Sequence, residues 1–254
     1  MSPTIWTRYA ARVELEVLTA RPWRVVEAQH VVSTRKLVDS DAEQRLLEDL
    51  IERAEPPMPP EPEFQGLHYL LGTPFRYPPL PHGSRFGARS ERSLWYGAEE
   101  LRTAFAEAAY YRLVFLEGTE AELDPVAVDL SAFRARVRSE RTVDLTRPPF
   151  GAHEAEISSP VSYATSQALG REMRAAGVEA FRYRSARDAG GGTNLGLFTP
   201  LAFASRRPDS PQSWYCVATR GVVELSRRDL LARGAHRFPR EQFEVDGALP
   251  TPAL

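Results

Sequence analysis

The sequence predicts an α+β protein, and three observations carry that prediction. Segments with strand-like and helix-like apolar spacing follow one another in irregular order, without a regular βαβ series. No Gly-x-Gly-x-x-Gly joins a strand to a helix, so a doubly wound dinucleotide-binding sheet is not expected. The 254 residues are 43% hydrophobic and 26% charged, enough apolar surface for a packed core, and they lack the triplet or heptad period of a fibre.

In chain order, residues 1–62 read as an N-terminal helical extension with a proline-rich connector, and residues 63–254 as the main domain. Ser40 precedes Glu43 at capping-box spacing, and Leu46, Leu47, Leu50, Ile51 and Ala54 recur behind it at helical intervals. This helix should stop at Glu55, because Pro56, Pro57, Pro59, Pro60 and Pro62 make a stiff extended connector. Pro74, Pro78, Pro79 and Pro81, beside Phe75 and Tyr77, read as an ordered, packed loop. Residues 93–96 are predicted as a short strand and residues 97–111 as a helix with Leu101, Phe105 and Ala108 on one stripe. Residues 112–116, Arg-Leu-Val-Phe-Leu, read as a buried strand.

Residues 130–138 alternate, with Phe133, Ala135 and Val137 on one face and Arg134, Arg136 and Arg138 on the other, as in a strand with one wet face. Residues 162–176 are predicted helical, with Gly177 as the C-terminal cap. Residues 181–183 and 195–198 read as strands joined by a glycine-rich turn, and residues 213–219 as a further strand. Ser226 is expected to cap a short helix ending at Gly234.

Charge and cysteine content exclude several classes. The formal charge is −2, from 32 basic and 34 acidic residues, too balanced for a strongly basic nucleic-acid binder. Lys36 is the one lysine among the basic residues, the imprint of a GC-rich codon bias. Cys216 is the one cysteine, which excludes an intrachain disulfide and a multi-cysteine zinc site. No apolar run approaches the roughly 20 residues that cross a bilayer. The first residues also lack the charged start and apolar stretch of a signal peptide, so the expected compartment is cytoplasmic, without membrane attachment.

Familiar site motifs fail. Gly190-Gly191-Gly192-Thr193-Asn194 has no following Gly-Lys-Ser/Thr and is not a P-loop. His153-Glu154 begins like a zincin motif, but Ile157 stands where the second histidine belongs. His30, His68, His82, His153 and His236 are never at helical or strand pairing distance from one another, so no metal is expected. Gly83-Ser84-Arg85-Phe86-Gly87 has serine in the second position and is not a nucleophile elbow.

Three segments remain. Arg85 is framed by glycines in a turn region, where a planar fork of donors suits a diphosphate or carboxylate and glycine lets backbone approach a ligand. Tyr96 ends a strand, and Glu107 follows eleven positions later, about three helical turns on, facing away from Phe105. Ser185 follows a strand within Phe181-Arg182-Tyr183-Arg184-Ser185-Ala186-Arg187-Asp188-Ala189-Gly190-Gly191-Gly192. Singly, each fits an ordinary surface loop, a solvated helix glutamate or turn chemistry.

In this order the segments resemble the RES-domain family, named for an arginine, a glutamate and a serine. These would be Arg85, Glu107 and Ser185, with Tyr96 as a fourth family position. The resemblance covers about residues 64–245, and Gly66-Leu67-His68-Tyr69-Leu70-Leu71-Gly72-Thr73-Pro74-Phe75-Arg76-Tyr77 looks like its longer subgroup. Phe86 replaces a frequent tryptophan, and Arg76 rivals Arg85 because the family often carries a second arginine upstream. The resemblance implies a split-sheet core similar to ADP-ribosyltransferases, with flanking helices and the N-terminal helical extension. It also implies a toxin of a toxin–antitoxin pair that consumes NAD as substrate by hydrolysis or phosphorolysis. Its partner would be an Xre-type helix-turn-helix antitoxin that blocks the active site within a higher-order complex, with no direct nucleic-acid contact by the toxin. Two other readings stay open: a mono-ADP-ribosyltransferase modifying a protein target, and a non-catalytic partner-binding module.

The residues suit that chemistry. Nicotinamide in NAD is cationic and departs neutral, so no general acid is needed, and the transition state resembles an oxocarbenium ion. Glu107 would hold a ribose hydroxyl and stabilise the developing charge. Arg85 would clamp the diphosphate, as Arg76 would if it took that role. Tyr96 would stack on the nicotinamide or ribose, and Ser185 would donate at the pocket floor.

Overall fold

The computed structural model describes residues 4–28, 40–78, 81–121, 123, 125–229 and 233–251. In chain order its strands are β1 (Glu16–Ala20), β2 (Trp23–Glu27), β3 (Trp95–Ala98), β4 (Val126–Arg134), β5 (Val137–Asp144), β6 (Ala180–Arg184), β7 (Thr193–Leu197), β8 (Asp209–Ala218), β9 (Val222–Arg227) and β10 (Ala235–Pro239). The α-helices are α1 (Ile5–Tyr9), α2 (Asp41–Ala54), α3 (Tyr69–Arg76), α4 (Leu101–Glu117), α5 (Glu154–Ile157) and α6 (Ala164–Ala175).

The strands form one sheet in the order β1-β5-β6-β7-β3-β2-β4-β8-β9-β10. Neighbours are antiparallel except β5 and β6. The sheet is α+β in character and nearly divided. β2 and β3 pair only at Trp23 and Ala98, whereas β3 pairs with β7 along its full length and β2 with β4 along its own. The result is two five-strand lobes hinged at one residue pair, with a cleft where β2 and β3 part.

Helix α4 spans the division. Phe105, Ala109, Tyr110, Leu113 and Leu116 pack onto Trp214, Cys216, Leu225 and Phe238 of the β8–β10 lobe. On the other lobe, α1 and α6 bury Ile5, Trp6, Leu169 and Met173 against Val143, Phe181 and Tyr183. A third cluster seats Leu71 and Phe75 of α3 on Trp95, Leu195 and Leu197. No helix among the described residues is long and apolar enough to cross a membrane.

Several elements follow the sequence reading. Ser40 Oγ accepts the Glu43 amide at 3.2 Å and caps α2, which ends at Ala54 before the prolines. Gly177 takes φ +74° after α6, and the Val178 amide reaches back to the Met173 carbonyl at 3.0 Å, a left-handed cap that favours glycine. β6 and β7 pair around the glycine-rich turn as expected.

Other elements differ. The N-terminal residues are not a separate helical layer, because β1 pairs with β5 and β2 with β3 and β4. Two five-residue strands with mixed polarity leave little period to read, and their partners lie about a hundred residues away. Of the expected α2 stripe, Leu46 and Leu50 are exposed. Of the loop expected around Pro74, Pro78, Pro79 and Pro81, Pro74 and Phe75 lie instead in helix α3, which is capped by His68 Nδ1 accepting the Leu70 amide at 3.2 Å, and residues 79–80 lie outside the described residues. The strand expected at residues 112–116 continues α4. Leu113 and Leu116 are buried one turn apart while Phe115 is half exposed, a helical pattern that a short apolar run conceals. The alternating run at 130–138 is two strands, broken where the Ala135 amide turns to the Pro22 carbonyl and Arg136 O to the Ala204 amide. Ser226 lies in β9, not at a helix start, and residues 230–232 of that expected helix lie outside the described residues.

Candidate active site

Arg85 is presented by a tight turn. Ser84 and Gly87 pair across it, with the Ser84 amide donating to Gly87 O at 2.7 Å. Gly83 precedes it at φ +74°, where a Cβ would also collide with Gly87 O. At the corner, Phe86 is fully buried against Phe181 and Tyr183, at centroid distances of 4.5 and 4.8 Å. Anchoring Phe86 fixes the direction of Arg85. Its guanidinium lies 4.8 Å from the Tyr163 ring centre and donates to Ser159 O at 2.8 Å. Gln167 of α6 holds the loop through His82 O and Ser84 O at 2.9 and 3.0 Å.

Tyr96 of β3 ties this turn to the sheet. Its hydroxyl accepts the Phe86 amide at 3.0 Å and shares a 3.0 Å hydrogen bond with Ser84. Burial pushes the phenol up to about 12. It therefore stays neutral at physiological pH and serves as a hydrogen-bonding group.

Glu107 sits on α4 facing the cleft. Its helix neighbours there are Ala104, Ala108 and Tyr111, so small side chains leave room beside the carboxylate. Ala108 is therefore a cleft residue and not part of the core stripe expected for it. Oε1 accepts Ser185 Oγ and Asn194 Nδ2, each at 2.6 Å. Among the described residues Oε2 has no hydrogen-bond partner, so one oxygen is fixed and the other remains for a ligand.

Ser185 stands behind Glu107 instead of on the cleft wall. Its hydroxyl also accepts the amides of Arg187 and Asp188, both at 3.1 Å, which aims its proton at Glu107. Asp188 in turn accepts Thr103 Oγ1 at 2.7 Å and pairs with Arg102, pinning the glycine-rich turn to the first turn of α4. The turn thus sets the distance between Ser185 and Glu107.

The cleft has a volume of about 270 Å³ and lies where β2 and β3 diverge. That is near the lower end of ligand pockets, about 300–1,000 Å³. Arg85, Tyr96 and Glu107 all face it, and Ser185 supports it from behind. Arg76 is elsewhere, paired with Glu55 at 2.6 Å and bonded to Pro56 O. The structure thus separates the two arginines that the sequence left as rivals.

Three residues escaped the sequence reading. Asn194 is a buried amide inside the apolar strand Thr193-Asn194-Leu195-Gly196-Leu197, and a polar residue there signals an obligatory partner. Tyr163 underlies Arg85 and shares a 3.3 Å hydroxyl contact with Tyr111. Arg24 reaches the cleft from β2. Among the described residues, no group of three or more His, Cys, Asp and Glu side chains is arranged to hold a metal ion.

Comparison with curated proteins gives no match. Among solved structures, the chain is similar to one in the crystal structure of the M. tuberculosis MbcT-MbcA toxin-antitoxin complex. The identity is 15% and the TM-score 0.45, over 81% of this chain and 88% of that one. The family model of the RES domain matches residues 60–217, more than half of the sequence and inclusive of Arg85, Tyr96, Glu107 and Ser185. The chain belongs to the RES-domain family.

Proposed function

We propose that the chain is an enzyme that breaks the nicotinamide–ribose bond of NAD, and that it acts as the toxin of a toxin–antitoxin pair. The observation that carries the reading is Glu107. It is a single carboxylate in the cleft, with Oε1 held by Ser185 and Asn194 and Oε2 free among the described residues. A cationic nicotinamide leaves without protonation, so one oriented carboxylate is enough to stabilise the cation forming on the ribose. Arg85, which makes no ion pair among the described residues, offers its guanidinium to the diphosphate. The neutral Tyr96 ring flanks the sugar. Water, phosphate or a protein side chain would then attack the ribose carbon.

Such an enzyme drains a shared pool, so the cell must occlude its cleft. An Xre-type antitoxin with an acidic or carboxylate-tipped segment fits the cationic side of the cleft, and salt would loosen the contact. The test is cellular NAD after induction of the chain, with and without its genomic neighbour. NAD should fall only when the neighbour is absent. Unchanged NAD and normal growth, with soluble folded protein present, would exclude the toxin.

A further inference from the structure

The RES match begins at residue 60, yet one wall of the cleft is built from residues 23–25 on β2. Arg24 is the cationic group on that wall. It enters from the opposite lobe to Arg85, across the point where β2 and β3 separate.

Its guanidinium is fixed but incompletely used. Nη1 donates to the Tyr96 carbonyl at 2.6 Å, and the plane lies 5.5 Å from the centre of the Trp95 ring. Nε is buried and has no acceptor. Arg24 makes no ion pair among the described residues, unlike Arg21, Arg76, Arg182 and Arg240. Burial lowers its pKa to about 10, so it remains charged at neutral pH. A cation held in place with a buried, orphaned Nε donor is costly unless a ligand completes it. Glu107 faces the same cleft but makes no ion pair with Arg24 among the described residues, its Oε1 being held by Ser185 and Asn194.

We infer that Arg24 is a phosphate-binding residue of the cleft, supplied by the N-terminal segment outside the RES match. Planar guanidinium donors match phosphate oxygens, and the two arginines entering from opposite lobes form a clamp that neither lobe has alone. The phosphate would come either from the diphosphate of the dinucleotide or from free inorganic phosphate entering as the second reactant. The inference rests on the proposed NAD chemistry for its substrate, but not for its anion.

The experiment separates these cases. ADP-ribose and inorganic phosphate are titrated calorimetrically into the full chain and into Arg24→Gln and Arg24→Lys, with melting curves as fold controls. A tenfold or greater loss of ADP-ribose affinity in Arg24→Gln, with a smaller loss in Arg24→Lys, assigns Arg24 to the diphosphate. Loss of phosphate affinity with ADP-ribose binding unchanged assigns it to the second reactant. If Arg24→Gln does not fold, the same comparison is read from Arg24→Lys. Unchanged affinity for both probes in a folded variant overturns the inference, as does a wild-type chain that binds neither. A wild type that binds through Arg24 but leaves NAD intact sinks the proposed reaction and keeps the anion site.

Discussion

Glu107 Oε1 lies 2.6 Å from both Ser185 Oγ and Asn194 Nδ2, so a helix carboxylate is locked by two donors from the β6–β7 hairpin. Ser185 is therefore a positioning residue, with its own hydroxyl aimed by the amides of Arg187 and Asp188. Ser185→Ala should lower turnover with little change in the KM for NAD. Two buried amides also lose their acceptor, at about 1–3 kcal/mol each, so the melting temperature should drop as well. Asn194→Ala should lower turnover in the same way without disturbing those amides. Steady-state kinetics and melting curves on both variants separate the two effects. A KM increase at constant kcat would instead place Ser185 or Asn194 in contact with substrate.

Arg85→Lys should weaken the enzyme by roughly tenfold or more, because a point charge cannot replace a planar fork. Arg76→Lys should leave activity near wild type, since Arg76 pairs with Glu55 outside the cleft. Kinetics on both variants decide the matter, and a larger defect for Arg76→Lys would transfer the role.

Gly170→Ala should destabilise the protein by about 1–3 kcal/mol. A Cβ on Gly170 would run into the backbone carbonyl of Phe86, which cannot swing aside as a flexible side chain can. The displaced Phe86 would weaken its amide bond to the Tyr96 hydroxyl, so activity should fall together with the melting temperature. Denaturant unfolding measures the first effect, and NAD turnover of the folded fraction the second.

Stability should hold to about pH 10 and decline between pH 10 and 12. Burial pushes both Tyr96 and Tyr110 up to about 12, above the ordinary phenol value of 10.0. The unfolded chain then releases these protons before the folded chain does, which favours unfolding through that window. Tyr96→Phe should make the decline shallower in melting curves recorded across this range. An unchanged pH profile in that variant would mean that Tyr96 titrates at its ordinary value.

Much of this was legible in the sequence wherever local chemistry decided the outcome. The Gly177 cap, the β6–β7 hairpin and the Ser40 cap are written in neighbouring residues. Arg85, Tyr96 and Glu107 were recognisable from the order of their motifs, and the structure places all three at one cleft. What stayed hidden depends on distant pairing. β2 enters the sheet only through partners such as Phe133, opposite Arg24, so nothing near Arg24 announces a cleft residue. The end of α4 reads as a strand because Leu113-Val114-Phe115-Leu116 is too short to show its period, and burial alternates only once the β8–β10 lobe is in place. Ser185 was visible as a motif, but its position behind Glu107 instead of on the cleft wall was not, because the Asp188–Thr103 contact that sets it joins residues 85 apart.

The most direct test of the account is nicotinamide release by the purified chain and by Glu107→Gln, with NAD and with or without inorganic phosphate. Glu107 faces the cleft and not the core, so the isosteric amide should leave the melting temperature close to wild type. The account predicts nicotinamide from the wild type, and a rate lower by on the order of a hundredfold or more in Glu107→Gln. Folded wild-type protein that releases no nicotinamide, or a Glu107→Gln variant that releases it at the wild-type rate, would contradict it.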